Sequence, residues 1–403
     1  MPPASTNPDS KRIEMIDAIR GLALAGIVLI HNLQHFVLLH DADKNPAWLA
    51  GIDPWIHQVV FFFFSGKAYG IFSLLFGFSF WFQYKNQLHN DNEFIPRFAW
   101  RMVLLFGLGM LHGLFYIGDF LYIYALMSVV VVMTRHWSNR AVLILICILL
   151  LQPIDLIRVF YAYLHPSNVF ESQVTPLVMR LRDIQLEGPF LKMLALNATF
   201  GRLSSLIWNW EYGRFFQAPA LFLIGMLAAR YRVFSKVRPK FWFSVLCISL
   251  IATIPLQILN FQLNAHIGRP SLRHLANTLN ELYGSIPKIA LVLALSVLLW
   301  HYSGHFRKLL SIFAPFGRMS LTNYITQSII GTTLYMGYGF GLYRYCGDTL
   351  SLGIGTIILM IQLGWSHWWL KRFNQGPLEF LWRKGTWIGH ERYQSIRLVK
   401  QSS

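Results

Sequence analysis

Long apolar stretches separated by short polar segments run through most of this 403-residue chain. A hydrocarbon layer of roughly 30 Å needs about 20 apolar residues per helix. Ten stretches reach or approach that length, the fourth being short, and they lie at 16–39, 55–84, 98–117, 119–134, 139–160, 213–231, 241–262, 285–302, 318–338 and 350–371. The pattern predicts an all-α polytopic membrane helix bundle of about ten transmembrane helices.

The distribution of charge predicts how the chain lies in the membrane. Hydrophobic residues make up 55% of the chain and charged residues only 13%, with a formal net charge of +17. Basic residues concentrate in alternate loops, as the positive-inside rule describes. We therefore expect the lipid bilayer and not nucleic acid as the partner, with both termini in the cytoplasm. The predicted cytoplasmic loops include Arg97, Arg135, Arg230, Lys240 and Arg307.

The predicted spans also divide the chain into segments. We predict a disordered N-terminus at 1–12, an N-terminal transmembrane half at 13–164, an outer-face amphipathic segment at 165–212, a C-terminal transmembrane half at 213–385 and a cytoplasmic tail at 386–403. The outer segment has two helical patterns, 175–186 and 190–206, which we expect to lie on the membrane or cover a cavity. The three scattered cysteines predict no disulfide, and no metal-ligand spacing appears.

The first apolar stretch carries ionisable residues on one face. Arg20 and His31 are eleven residues apart, which on an α-helix places them on nearly the same side, about 16 Å apart. An ionisable group in hydrocarbon is costly, so we expect this face to line the protein interior or a water-filled cavity. His31 either does chemistry there or forms an interhelical hydrogen bond, and the sequence leaves both open.

Two further stretches carry charge at membrane depth. Lys67 lies too far from either interface to reach it easily, so it is either neutralised by a neighbouring helix or in contact with a substrate. The third stretch repeats the Arg, Gly and His spacing of the first, with Arg101, Gly107 and His112. Asp119 follows the next tight turn, where a carboxylate either caps a helix or orients an imidazole.

The ninth stretch opens with a polar face. Arg318 lies at its start, and Asn323 and Gln327 are about one helical turn apart on one side. Amide side chains on such a face either bind a ligand or hydrogen-bond to a neighbouring helix.

Several motifs, taken together, resemble one family. They are Asp17 with Arg20-Gly21-x-Ala23, Lys67 with Leu74-Leu-Phe-Gly77, Leu111-His112-Gly113 with Gly118-Asp119, Gly317-Arg-Met-Ser-Leu-Thr-Asn-Tyr-Ile-Thr-Gln327 and Phe373-Asn-Gln375-Gly376-Pro377. This order is similar to that of the YeiB-like family of bacterial inner-membrane proteins, whose C-terminal half is a domain of unknown function. The resemblance implies a multi-pass protein of the bacterial inner (plasma) membrane.

The first helices of that family are similar to those of a transmembrane acyltransferase superfamily. Its members carry acyl groups from a cytosolic donor, commonly acyl-CoA, to a sugar on the other side of the membrane. YeiB-like sequences usually have Asn eleven residues after the Arg, whereas His31 stands at that position here. This departure matches the acyltransferase-3 pattern and favours the acyltransferase interpretation.

We therefore expect a membrane-bound acyltransferase that uses acyl-CoA as co-substrate, without a covalently bound cofactor, and a sugar or glycan as acceptor at the outer face. The general base would be His31, oriented by His112 or Asp119, and Lys67 would stabilise the developing oxyanion. The expected donor-binding residues are Arg20, Arg101, Arg318, Asn323 and Gln327.

The alternative is a transporter or flippase for a small anionic or lipid-linked substrate, in which the same buried polar residues form the pathway. Against it, the sequence shows no inverted repeat and no pair of matching broken helices. A third alternative is a sensor or assembly factor without catalytic activity.

Overall fold

The computed structural model describes residues 14–37, 45–46, 48–86, 91–167 and 172–389. The predicted disordered N-terminus at 1–12, and residues 390–403 of the predicted cytoplasmic tail, lie outside the described residues. Within the described part of the chain the regular structure is helical, with no β-strand. The prediction of an all-α membrane helix bundle is confirmed.

The N-terminal half is a series of apolar helices joined by short turns. They are α1 (Glu14–Leu33), α2 (Asp53–Phe64), α3 (Lys67–Asn86), α4 (Asp91–His112), α5 (Leu121–Met127), α6 (Val129–Thr134), α7 (Asn139–Leu150) and α8 (Pro153–Leu164). Proline occupies the first turn of α2 and of α8. Its fixed φ suits a helix start, where the missing N–H costs nothing.

The rest of the chain contains the longest helices. They are α9 (Val174–Glu187), α10 (Phe190–Leu196), α11 (Arg202–Glu211), α12 (Arg214–Arg230), α13 (Pro239–His266), α14 (Pro270–Tyr302), α15 (Gly304–Ser311), α16 (Ala314–Arg318), α17 (Ser320–Tyr335), α18 (Asp348–Arg372) and α19 (Pro377–Thr386). A π-helical turn at Asn197–Gly201 joins α10 to α11. The helices α9 to α11 occupy the segment predicted to be amphipathic.

In the described residues, seven helices are long and apolar enough to cross a membrane. They are Glu14–Leu33, Asp53–Asn86, Phe94–His112, Asn139–Leu164, Pro239–His266, Pro270–Tyr302 and Asp348–Arg372. An eighth is formed if Phe190–Glu211 and Arg214–Arg230, which meet at 70°, count as one span. Of the remaining predicted stretches, 119–134 contains the shorter apolar helical segment Leu121–Thr134, and 318–338 contains the 16-residue helix Ser320–Tyr335.

Three predicted spans are interrupted near their middle, and in the span at 119–134 the interruption is Ser128 alone. Ser65 and Gly66 separate α2 from α3, and Gly66 has a φ of +72° that suits glycine. Leu151 and Gln152 separate α7 from α8, directly before Pro153. Proline has no N–H to donate to the preceding turn, so the helix ends there.

The first helix is the centre of the bundle. In its most apolar window 72% of residues are buried, against 11% for α13, which presents most of its surface outward. The helix packs against α3, α16, α17 and α18. Residues from both halves of the chain therefore meet around α1.

Glycines allow α1 and α16 to touch through their backbones. A Cβ at Gly21 would lie 2.0 Å from the carbonyl oxygen of Phe313, and one at Gly317 would lie 2.0 Å from that of Asp17. Any larger residue would separate the two helices. Arg20 directly precedes Gly21 and Arg318 directly follows Gly317, so the contact brings both arginines to the same end of the bundle.

Candidate functional site

A cavity of about 600 Å³ lies inside the bundle. Its walls come from α1, α3, α4 and α17, and α11 and α19 contribute at opposite ends. Arg20, Arg101 and Arg318 line one end, called here the basic end, while His31 and Arg214 lie towards the other, called here the far end. The volume falls in the usual range for small-molecule sites, roughly 300–1,000 Å³.

Two arginines of the basic end are held by hydrogen bonds from their guanidinium groups. Arg20 donates hydrogen bonds to Oδ1 of Asp17 and to Oγ of Ser79, both at 3.2 Å. Arg318 donates to the carbonyl oxygen of Asn374 at 3.1 Å. These contacts, which for Arg20 include an ion pair with Asp17, hold both guanidinium groups at the cavity wall.

The last helix closes the basic end. The guanidinium carbon of Arg101 lies 4.0 Å from the ring centre of Trp382 on α19, a cation–π contact. Glu379, on the same helix, lines the cavity and accepts hydrogen bonds from the backbone N–H of Leu321 at 2.7 Å and from Oγ1 of Thr322 at 2.6 Å. It therefore caps α17, and burial raises the pKa of this carboxyl above its ordinary value.

His31 lines the same cavity as the three arginines. It lies on the continuous helix α1, eleven residues from Arg20, so the two are about 16 Å apart along the axis. Its ring lies 4.8 Å from that of Tyr116 and 6.4 Å from that of Tyr324. Within the described residues its Nδ1 is buried and has no hydrogen-bond partner. One cavity is thus lined by three guanidinium groups and one imidazole.

His112 and Asp119 form a fully buried pair beside His31. Nδ1 of His112 lies 2.7 Å from Oδ1 of Asp119, and both side chains are completely shielded. The His112 ring contacts Tyr324 at 5.0 Å and Tyr116 at 6.3 Å. The two predicted candidates therefore contact each other, and Tyr116 and Tyr324 each contact the rings of both His31 and His112.

A buried arginine completes this cluster. Arg202 donates hydrogen bonds to the carbonyl oxygens of Gly109 and Met110 at 3.2 and 2.9 Å, and it interacts electrostatically with Asp119. A Cβ at Gly113 would overlap its guanidinium at 1.6 Å. The glycine after His112 thus leaves the space that Arg202 fills, which the sequence motif did not reveal.

Lys67 holds the break between α2 and α3. Its ammonium donates to the carbonyl oxygen of Phe61 at 3.1 Å and to that of Phe62. These carbonyls end α2, where a cation is favoured by the helix dipole. Its neighbours Gly66 and Ala68 line the cavity, and the ammonium itself is hydrogen-bonded to backbone carbonyls of the preceding helix.

The predicted amide face of α17 packs against α18. Nδ2 of Asn323 donates to the carbonyl oxygen of Phe316 at 3.2 Å and to Oγ of Ser366 at 2.9 Å. Gln327 is fully buried. Neither residue lines the cavity. Asn323 forms an interhelical hydrogen bond, whereas neither amide atom of Gln327 has a hydrogen-bond partner among the described residues. Among the described residues no group of three or more potential ligands for a metal ion occurs.

Sequence analysis missed the polar residues that the outer segment brings to the cavity. Trp208 and Asn209 on α11, and Arg214 at the start of α12, line its far end. Arg202 and Arg214 are only 7% and 8% exposed. The available signal was a positive charge within an otherwise ordinary helical pattern.

Comparisons with known proteins place this architecture among bacterial relatives. Residues 228–389 match the family model described as "Protein of unknown function (DUF418)". The chain is 26% identical over 412 residues to "Uncharacterized protein YxaH" of Bacillus subtilis (strain 168), covering 96% of each chain. It is 27% identical over 391 residues to "Uncharacterized protein YeiB" of Escherichia coli (strain K12), covering 92% of this chain and 95% of the relative. No solved structure matches the chain.

Proposed function

Since this chain belongs to a YeiB-like family of membrane proteins, we propose its function from the chemistry of the cavity that its helices enclose. The protein is an acyltransferase that moves an acyl group from a cytosolic acyl-CoA-type donor to a hydroxyl or amine of a sugar or glycan acceptor at the outer face. The observation that carries this proposal is the single cavity lined by Arg20, Arg101, Arg318 and His31.

The basic end would bind the donor. Guanidinium groups form bidentate, charge-assisted hydrogen bonds to phosphates, and three of them face one end of the cavity. The pantetheine arm of coenzyme A separates its phosphates from its thioester, so a donor held at the basic end extends along α1. The thioester then approaches His31, about 16 Å from Arg20.

His31 would act as the general base. A neutral imidazole accepts a proton in general-base catalysis. The acceptor oxygen or nitrogen attacks the thioester carbonyl and its proton passes to His31. The carbon–sulfur bond then breaks, and the departing thiolate takes up that proton. Tyr116 and Tyr324 position the His31 ring, and the buried pair of His112 and Asp119 supports both tyrosines.

The proposed orientation places the basic end in the cytoplasm of a bacterial cell, at the inner membrane, with both termini on that side. The positive-inside rule supports this orientation, and the cavity would then carry the acyl group towards the outer face. Lys67 would stabilise the break between α2 and α3 beside the cavity. It would act on the oxyanion only indirectly, by fixing the cavity wall at Gly66 and Ala68.

A transfer assay with the purified full-length chain tests the proposal. Labelled acetyl-CoA is incubated with the wild type, with His31→Asn and with His57→Asn, which changes an exposed histidine on α2 that pairs with Asp348. We expect His31→Asn to keep acetyl-CoA binding and to lose transfer or hydrolysis about 10²-fold or more. Equal turnover in His31→Asn, or no acetyl-CoA binding by the wild type, would refute the proposal.

One set of observations favours a transporter as the second candidate. The span at 53–86 is broken at Ser65–Gly66, and α11 meets α12 at 70° beside the same cavity. Discontinuous helices at a central cavity are typical of secondary transporters. Flux of a labelled anion through liposomes that contain the chain, with no acetyl-CoA interaction, would favour this candidate over the enzyme.

A further inference from the structure

We propose that the far end of the cavity is a binding site for a polyol phosphate, such as a glycerol phosphate or sugar phosphate group, centred on Arg214, Asn209 and Trp208. This inference rests on the proposed function in one respect: the polyol phosphate would be the acyl acceptor. Binding of the polyol phosphate itself follows from the side chains at the far end and does not depend on acyl transfer.

Arg214 is the centre of the site. It lines the cavity, is only 8% exposed, and its Nε has no hydrogen-bond partner among the described residues. Its guanidinium carbon lies 4.8 Å from the ring centre of Tyr69 and 5.7 Å from that of Trp208. The planar guanidinium is therefore positioned by cation–π contacts with two aromatic rings, and its fork of N–H groups matches a bidentate anion.

A second layer of contacts holds Arg214 in place. It donates a hydrogen bond to Oε1 of Gln217. Gln217 in turn donates to Oγ of Ser285 at 2.7 Å and to the carbonyl oxygen of Leu282 at 3.2 Å, both on α14. Gln217 is thus fixed by its contacts with α14, and it fixes one nitrogen of the Arg214 guanidinium. The site is therefore built before any ligand arrives, which reduces the entropy cost of binding.

The wall beside Arg214 suits a polyol. Trp208 stacks on Tyr212 with ring centres 4.8 Å apart and meets the edge of Phe120 at 6.0 Å, which forms an aromatic wall for C–H groups. Asn209 lines the cavity at 1% exposure, and its Oδ1 is buried without a hydrogen-bond partner in the described residues. A buried amide oxygen is costly when unpaired, and a ligand hydroxyl would satisfy it.

The nearby charges favour an anion. Glu281 lines the cavity, and it interacts electrostatically with the ammonium groups of Lys67 and Lys288. Glu211 accepts hydrogen bonds from Oγ of Ser172 and the backbone N–H of Gln173, at 2.7 and 2.6 Å. The carboxylates around the far end are therefore engaged with other groups, and the positive charge of Arg214 remains for the ligand.

The test measures ligand binding directly, without acyl transfer. The purified chain is titrated with glycerol 3-phosphate and, in parallel, with glycerol and inorganic phosphate, and thermal unfolding reports binding. The variants are Arg214→Gln, Arg214→Lys and, as a matched control, Arg158→Gln. Arg158 also lies over a tryptophan, 5.3 Å from the Trp210 ring, but it is paired with Asp155.

We expect glycerol 3-phosphate to stabilise the wild type and Arg158→Gln, and glycerol to have no effect. Arg214→Gln should weaken the affinity roughly tenfold to a hundredfold, as loss of a charge-assisted hydrogen bond implies, and Arg214→Lys should restore part of it. Stabilisation by inorganic phosphate equal to that by glycerol 3-phosphate would refute the polyol part of the site. Equal binding by Arg214→Gln and the wild type would refute the whole inference.

A second arm distinguishes a lipid source from a soluble one. The same variants are placed in nanodiscs of phosphatidylglycerol or phosphatidylcholine. If the ligand is a lipid headgroup, phosphatidylglycerol stabilises the wild type and not Arg214→Gln, while soluble glycerol 3-phosphate has little effect. If neither form of glycerol phosphate gives a response that depends on Arg214, the inference is wrong.

Acetyl-CoA binding by the same samples separates this inference from the proposed function. A chain that binds acetyl-CoA but shows no response to either form of glycerol phosphate refutes the far-end site and leaves the acyltransferase proposal standing. A response that depends on Arg214, in a chain that does not bind acetyl-CoA, supports the site and refutes the acyltransferase.

Discussion

Gly21→Ala tests whether the backbone contact between α1 and α16 sets the geometry of the basic end. A Cβ at Gly21 would lie 2.0 Å from the carbonyl oxygen of Phe313 and 2.9 Å from its carbonyl carbon. Carbon–oxygen contacts are normally no shorter than ~3.3 Å, so the two helices must separate by about 1.3 Å. Arg20 and Arg318 flank the contact, so their spacing changes with it.

A matched glycine isolates the cost of this separation. At Gly107 on α4, an added Cβ meets no described atom within 4 Å, so Gly107→Ala gains only helix propensity, up to about 1 kcal/mol. Gly21→Ala gains the same propensity and pays for overpacking, typically about 1–3 kcal/mol. The free energies of unfolding of the two variants should therefore differ by about 1–3 kcal/mol.

Thermal unfolding of the purified proteins in detergent, followed by tryptophan fluorescence, measures the difference. We expect the Gly107→Ala midpoint to equal or exceed that of the wild type, and the Gly21→Ala midpoint to lie below both. Acetyl-CoA affinity should fall in Gly21→Ala alone. A Gly21→Ala protein as stable as Gly107→Ala would show that α1 and α16 do not touch as described.

Two other perturbations address the buried polar groups. Asp119→Ala leaves the imidazole of His112 without its partner and should lower the free energy of unfolding by about 3–5 kcal/mol. Asp155→Ala breaks a more exposed pair and should lower it by about 1 kcal/mol. Equal melting midpoints for the two variants would contradict this expectation. Burial raises the pKa of Glu379, so its folded form holds a proton above the unfolded pKa, and wild-type stability should fall relative to Glu379→Gln as pH rises from about 4.5. Parallel stability curves for the two proteins would contradict the second expectation.

Local sequence patterns predicted most of the helices and two pairs of residues in or beside the cavity. Each predicted span coincides with one helix or with two consecutive helices, and the eleven-residue spacing placed Arg20 and His31 along one helix. The spacing from His112 to Asp119 across a tight turn also brought those two together, at 2.7 Å. In each case the partners are close in sequence, so helix and turn geometry suffice to relate them.

Interactions between distant segments could not be predicted in the same way. In the sequence, Asn323 and Arg318 were equally good candidates for ligand binding. In the structure, the Asn323 side chain instead donates a hydrogen bond to Ser366 on α18. Lys67 appeared isolated at membrane depth, and only the break before it supplied the carbonyl oxygen of Phe61 as a partner. The sequence does not specify which group a polar side chain will contact when that group lies in a distant segment.

The amino-acid sequence by itself determined that this protein is a bundle of apolar helices with ionisable groups inside it, because run length and helical periodicity are local properties. The tertiary structure alone decided which of those groups share the cavity. Arg202 fills the space at Gly113 and donates to the carbonyl oxygens of Gly109 and Met110, whereas Arg214 lines the far end of the cavity. Both positions depend on how helices far apart in the chain pack, since only packing determines which buried charges face a common space.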